Sequence, residues 1–64
     1  MYYHFNWKEV DHSQSRYFKA SNILEAIELF TQKYYAHMSK LTEIKLISNP
    51  DEIEHIISKG YLDN

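Results

Sequence analysis

The sequence predicts a small α+β domain in which a three-stranded antiparallel sheet packs against two helices. Three patterns carry this prediction. Aromatic and polar side chains alternate from Tyr3 to Lys8, which is typical of a half-buried strand. Apolar residues then recur at helical spacing from Ile23 to Leu41, which indicates the buried face of one helix. A third strand and a short proline-initiated helix follow, so the expected element order is β-β-α-β-α.

The chain length suits a single domain, residues 1–64, with a small core. A domain of this size buries only about 60% of the surface that its unfolded chain exposes, so such folds often depend on a disulfide, a metal or a partner. The sequence contains no cysteine, which excludes disulfides and thiolate metal sites. It shows no signal-peptide pattern and no apolar run of the roughly 20 residues that span a bilayer, so we expect a cytoplasmic protein that does not bind membranes.

The first two strands are expected to form an antiparallel hairpin. Residues 3–8 form the first strand, and residues 16–20 form the second. In the second strand Phe18 faces one side of the sheet, and Tyr17 and Lys19 face the other. The polar segment between the strands lacks Asn-Gly and Asp-Gly, so we expect a loop of about four or five residues rather than a two-residue turn.

The long helix is expected to run from about Ile23 to about Lys40. Asn22 and Glu25 form a capping-box pattern, in which the Asn side chain accepts from backbone N–H groups and Glu25 reaches back to the N-cap. The apolar residues that share the buried face are Ile23, Ile27, Phe30, Tyr34, Met38 and Leu41.

Residues 42–48 are expected to form the third strand. Pro50 then begins a second helix, since proline is favoured at the first helical position, and Asn49 and Glu52 repeat the capping box. Gly60 suits the left-handed position that ends this helix. The third strand is expected to pair with the first, giving the sheet order 2-1-3 with one face covered by the long helix and the short C-terminal helix. The other face must then meet water or a partner.

The uncovered sheet face is the first candidate binding surface. It is expected to carry aromatic rings interleaved with cations, and Tyr35 on the flank of the long helix adds a further ring. Such rings anchor protein interfaces because they bury a large apolar area and keep a polar tip. The alternative is a solvated face whose cross-strand aromatic pairs only stabilise the hairpin. The residues expected to bind a protein partner are Tyr2, His4, Lys8, Tyr17, Lys19 and Tyr35.

A nucleic-acid site is a further alternative. It would use Lys8, Arg16, Lys19 and the tyrosines, on which bases can stack. The formal net charge of -2 argues against it, because non-specific nucleic-acid affinity rests on clustered positive charge.

Sequence patterns for catalysis and for metal or cofactor binding are absent. The histidines (His4, His12, His37 and His55) lack the local spacing of a zinc site. A catalytic triad needs an oriented base and an oxyanion pocket, and Gly60 is the only glycine, so no glycine-rich phosphate loop exists. We therefore expect a protein that is not an enzyme and that binds no metal and no cofactor.

The heavy use of Ile, Lys, Asn and Tyr in a short cysteine-free domain resembles the small proteins of AT-rich bacterial and phage genomes. Many small phage proteins are inhibitors that bind one host protein, and this resemblance of composition implies the same role. Leu24, Leu29 and Tyr35 have no place in the expected core, which also favours a partner. We therefore expect a non-enzymatic protein–protein interaction module, either a phage- or mobile-element-type inhibitor of a host protein or a homodimer. Trp7 fits either the core or the interface.

Overall fold

The computed structural model describes all 64 residues and confirms the α+β class and the expected element order. The elements are, in chain order, β1 (Tyr2–Lys8), β2 (Ser13–Lys19), α1 (Ile23–Tyr34), a 3-10 helix (Tyr35–Lys40), β3 (Leu41–Ile47) and α2 (Pro50–Ser58). None of these helices has the length and apolar character that crossing a membrane requires.

The sheet is antiparallel throughout, and its order β2-β1-β3 is the expected one. Residues 9–12 form the hairpin loop between β1 and β2, which matches the length predicted from its lack of a tight-turn sequence. The register of β1 and β3 shifts between Asn6 and Trp7, because Thr42 of β3 is an extra residue in a β-bulge.

α1 begins at Ile23, as its capping pattern predicts. The side-chain oxygen of Asn22 accepts from the Glu25 N–H at 2.9 Å, and the Glu25 carboxylate accepts from the Ser21 N–H at 2.8 Å. The reciprocal bond thus reaches one residue further back than in the standard capping box. The helical segment extends to Lys40 as expected, but its last turns are 3-10, since Tyr34 leaves the α region with φ −126° and ψ 38°.

The main core lies between α1 and one face of the sheet, which we call the inner face. Phe30 of α1 stacks on Phe5 of β1 with ring centroids 4.6 Å apart, and it meets Phe18 of β2 edge-on. Trp7 is only 2% exposed and belongs to this core. Leu29, which lacked a place in the expected core, packs against it. The buried residues of the cluster are Tyr3, Phe5, Trp7, Phe18, Ala20, Ala26 and Phe30.

α2 lies against the opposite face of the sheet, which we call the outer face. Ile56 of α2 is 1% exposed and Ile47 of β3 is also buried, yet neither belongs to the core under α1. On the outer face, the carboxylate of Glu52 in α2 is close enough to act electrostatically on His4 and Tyr17. The two helices therefore sandwich the sheet.

The expectation of a bare second sheet face needs correction for this reason. Ile47, the last residue of β3, points to the outer face beside Tyr2, and only Ser48 and Asn49 separate it from α2. A link this short lets the apolar side of α2 fold directly over Ile47. The orientation of Ile47 at the end of β3 is thus the physical cause of the position of α2 on the outer face.

The segment after α2 covers the free edge of β2. The Asp63 N–H donates to the Tyr17 carbonyl at 2.8 Å, and the side chain of Asn64 bonds both the N–H and the carbonyl of Lys19. The Asp63 carboxylate also forms an ion pair with Lys33 of α1 at 3.2 Å. The chain itself therefore covers this edge of the sheet at Tyr17 and Lys19.

Candidate functional site

The structure brings four of the six predicted binding residues together on the outer face. They are Tyr2, His4, Tyr17 and Lys19, and the Lys19 ammonium lies 5.9 Å from the centre of the Tyr2 ring. Lys8 lies at the far end of β1, about 20 Å from Tyr2 at the usual rise per residue of a strand. Tyr35 begins the 3-10 helix and is 77% exposed. The six residues therefore do not form one continuous surface.

The aromatic residues of the outer face mostly contact each other and the segment around α2. The ring of Tyr17 lies between His4, at 4.4 Å between centroids, and Tyr61, at 6.3 Å, and both pairs are stacked. His55 meets Tyr61 edge-on. Tyr2, His4 and Tyr17 are consequently only partly exposed. The sequence suggested that these side chains lie outside the core and bind a partner. In the structure they pack beneath α2 instead.

His4 is the most constrained polar group of the outer face. Its Nε2 atom is buried and has no hydrogen-bond partner, while its Nδ1 atom lies 3.4 Å from the side-chain nitrogen of Asn6. Burial lowers the pKa of His4 below its ordinary value, and the carboxylates of Glu52 and Glu43 only partly oppose this effect. The imidazole is therefore held neutral, as a packing group and not as a cation for a partner.

The pKa of Tyr17 is shifted in the opposite direction for the same physical reason, which is burial. Burial, followed by the negative charge of Glu52, raises the pKa of its phenol above the ordinary value. The hydroxyl thus stays protonated, and the ring behaves as an apolar packing surface on the outer face.

Arg16, which the nucleic-acid alternative used, lies on the inner face. Its guanidinium sits 5.4 Å from the centre of the Trp7 ring and 5.3 Å from that of Tyr34, and its Nε donates to the Tyr34 hydroxyl at 2.9 Å. This packing places Arg16 on the side of the sheet away from Lys8 and Lys19. The three cations therefore do not share a face.

The open edge of β3 is the surface that sequence reasoning missed. Met1 and Ala20 exchange both backbone hydrogen bonds, which fixes the alternation of the whole ladder. The N–H and carbonyl groups of Glu43 and Lys45 consequently point to β1, and those of Ile44 and Leu46 point away from it. No other backbone or side-chain group bonds Ile44 or Leu46 along that edge.

The side chains along the open edge are both apolar and charged. Leu46 is 51% exposed on the inner-face side, and Ile44 beside it is half-buried against the core. Glu43 and Lys45 are exposed on the outer-face side. The signal in the sequence is the alternation of charged and apolar residues from Glu43 to Leu46, which contains no aromatic residue.

A cluster of polar side chains surrounds Glu9 in the hairpin loop. Its carboxylate accepts from the Trp7 indole N–H at 2.9 Å and from the Lys40 ammonium at 3.1 Å, and His37 Nδ1 lies 3.3 Å away. These hydrogen bonds, the indole first, lower the pKa of Glu9 below its ordinary value. Since His37 and Lys40 belong to the 3-10 helix, the cluster joins the hairpin loop to that helix.

No group of three or more potential metal ligands is present, and the structure contains no pocket. Comparison with known proteins found no matching protein family, no matching curated protein and no matching solved structure.

Proposed function

We propose that this chain is a non-enzymatic protein-binding module that contacts its partner through the open edge of β3. The observation that carries the proposal is the difference between the two edges of the sheet. The edge of β2 is covered at Tyr17 and Lys19 by Asp63 and Asn64, whereas the amides of Ile44 and Leu46 on β3 have no partner.

An open edge of this kind is suited to β-strand addition. A strand laid beside it gains a row of main-chain hydrogen bonds, and the alternate side chains of the edge select which strand binds. An uncovered edge is also a hazard, because any exposed strand of another chain can pair with it. A defined partner that covers Ile44 and Leu46 resolves that hazard.

Apolar side chains elsewhere on the surface support the same proposal. Leu24 and Tyr35, which the sequence analysis placed outside the core, are both strongly exposed. Tyr35 and Lys8 therefore stay accessible as contacts, whereas Tyr2, His4 and Tyr17 need α2 to move before they can anchor a partner.

The proposal includes two kinds of partner, a second copy of the chain or a host protein that the module inhibits. It also places the module in the cytoplasm, where the cysteine-free composition suits a reducing compartment. The nucleic-acid alternative has less support, since Arg16 packs on the opposite face from Lys8 and Lys19. Salt titration separates the two, because phosphate contacts make affinity fall steeply with salt.

Site-specific photocrosslinking in native cells tests the proposal. A photoreactive side chain is placed at Leu46 on the edge and, as a matched control, at Ile57 on α2, since both positions are 51% exposed. We expect a protein adduct of defined mass from position 46 and none from position 57. The absence of any adduct at position 46, whether to the chain itself or to another protein, would overturn the proposal.

An edge-blocking variant sharpens this experiment. Leu46→Pro removes an N–H group that points away from β1, so the ladder between β1 and β3 keeps its bonds, and Leu46→Val retains the group as a control. We expect the proline variant to lose the complex identified by crosslinking and the valine variant to keep it. Equal binding by the two variants would show that the edge is not the contact.

A further inference from the structure

We propose that a second copy of this chain binds the open edge of β3 and forms a two-fold dimer with one continuous sheet. This inference rests on the proposed function, because it names the partner of the same edge. The sheet order would be β2-β1-β3-β3-β1-β2, with the two β3 strands antiparallel about an axis at Ile44.

The backbone of β3 has the alternation that this pairing needs. The N–H and carbonyl of Ile44 point to the open edge, so Ile44 can exchange both hydrogen bonds with Ile44 of the second copy. On either side, Leu46 then lies opposite Thr42, the residue that the bulge leaves without a partner on β1. The ladder is thus self-complementary in the main-chain groups of Ile44.

The charged side chains of the strand are self-complementary in the same register. With the axis at Ile44, Glu43 of each copy lies directly opposite Lys45 of the other. These pairs are the non-hydrogen-bonded ones, in which the side chains approach most closely. Opposite charges at such positions stabilise an antiparallel pair, and both side chains are exposed in the single copy.

Neighbouring registers are penalised by the same charges. Moving the axis by one residue to Glu43 or to Lys45 keeps the main-chain alternation intact but places two glutamates or two lysines opposite each other. Charged side chains on an edge strand ordinarily prevent pairing. On β3 they prevent the shifted pairings and favour the one centred on Ile44.

The apolar side chains of the edge gain contacts in this dimer. Leu46, 51% exposed in the single copy, and Ile44 both lie on the inner-face side, where Ile44 would meet its own copy across the axis. Because the axis is perpendicular to the sheet, both α1 helices lie on one side and both α2 helices on the other. The pairing therefore needs no rearrangement of either helix.

Charge reversal along the edge tests the register directly. Glu43→Lys and Lys45→Glu each replace two attractive pairs by two repulsive ones, so each should weaken dimerisation at least about tenfold in sedimentation equilibrium. The double variant Glu43→Lys/Lys45→Glu restores opposite charges and should regain the affinity of the unmodified chain. An equimolar mixture of the two single variants should form a heterodimer for the same reason. Glu28→Lys on α1 and Lys59→Glu, immediately after α2, are exposed matched controls and should dimerise normally.

The outcomes separate this inference from the proposed function. A folded chain that stays monomeric up to millimolar concentration overturns the dimer, while a crosslink from position 46 to another protein would still support the binding module. A dimer whose dissociation constant is unchanged in both single variants also overturns the inference, since it must use another surface. Heterodimer formation in the mixture confirms the register, because each single variant keeps its like charges within its own chain and finds opposite charges only across the interface. Rescue in the double variant supports the same register.

Discussion

The imidazole of His4 lies flat against the ring of Tyr17, with centroids 4.4 Å apart and planes 7° apart. Tyr17 stacks on Tyr61 in turn, so the pair joins the central strand to the segment after α2. Nε2 of His4 is buried there without a hydrogen-bond partner. The contact is therefore made by a neutral histidine, and protonation should weaken it.

The stability of the fold should decrease as the pH is lowered through the range where His4 titrates. Its pKa in the folded protein is lowered from 6.5 by burial, against the opposing charges of Glu52 and Glu43, while Lys45 acts in the same direction as burial. The unfolded chain then binds the proton more tightly than the folded protein does. The contribution of neutral His4 to stability is therefore complete above pH 6.5 and is lost as pH falls through the folded pKa. Urea unfolding at about pH 7.5 and about pH 5.5 measures the loss.

The same titration with His4→Gln should show a smaller decrease over this pH range. His12→Gln is the matched control, because His12 lies exposed in the hairpin loop. If the two variants retain the same pH dependence as the unmodified chain, burial of His4 does not control stability.

Neighbouring isoleucines of α2 should respond very differently to the same substitution. Ile56 is 1% exposed, so Ile56→Val removes a buried methylene and should cost about 0.5–1.5 kcal/mol of unfolding free energy. Ile57 is 51% exposed, and Ile57→Val should change that free energy by less than about 0.5 kcal/mol. Urea unfolding of both variants checks the contrast. Equal costs would mean that α2 is not packed on the outer face.

Glu9→Gln should loosen the hairpin loop. The substitution keeps the shape of the side chain but removes the charge that accepts from Trp7 and Lys40. Since the folded pKa of Glu9 lies below 4.5, its contribution to stability is present above pH 4.5 and is lost as pH falls through the folded pKa. We expect Glu9→Gln to be less stable near neutrality and to show a weaker decrease in acid, whereas Glu28→Gln should match the unmodified chain.

Opening the second edge of the sheet should cause larger assemblies. Asp63→Pro removes the N–H that donates to the Tyr17 carbonyl, whereas Asp63→Ala keeps that N–H and loses only the carboxylate. When both edges of the sheet are free, each copy can pair with two others, so assembly does not stop at a dimer. Light scattering of the proline variant should therefore grow with concentration. Scattering that is equal for the proline and alanine variants would contradict the role of Asp63 in closing the edge.

The sequence predicted the order of elements well because each element carries its own local signal. Asn22 caps α1 and Asn49 caps α2, and both bonds appear where the capping patterns place them. The alternation of residues 3–8 likewise defines β1 and its buried side. Such signals lie within a few residues of each other and do not depend on the rest of the fold.

The location of α2 could not be predicted in the same way. It depends on which face Ile47 presents at the end of β3 and on the length of the link that follows, and the apolar side of α2 would fit either face. Once α2 covers the outer face, Tyr2, His4 and Tyr17 become packing residues. The open edge of β3 could not be predicted for a related reason, since the difference between the two edges depends on the contacts that Asp63 and Asn64 make with Tyr17 and Lys19.

Hydrogen exchange at consecutive amides of β3 tests the central claim most directly. In dilute solution, the amides of Glu43 and Lys45 should exchange slowly, because they bond β1, and those of Ile44 and Leu46 should exchange fast. When the edge is covered at high protein concentration or by a bound partner, Ile44 and Leu46 should become slow as well. Fast exchange at both residues in a saturated complex would contradict the account, as would protection of both in the dilute monomer.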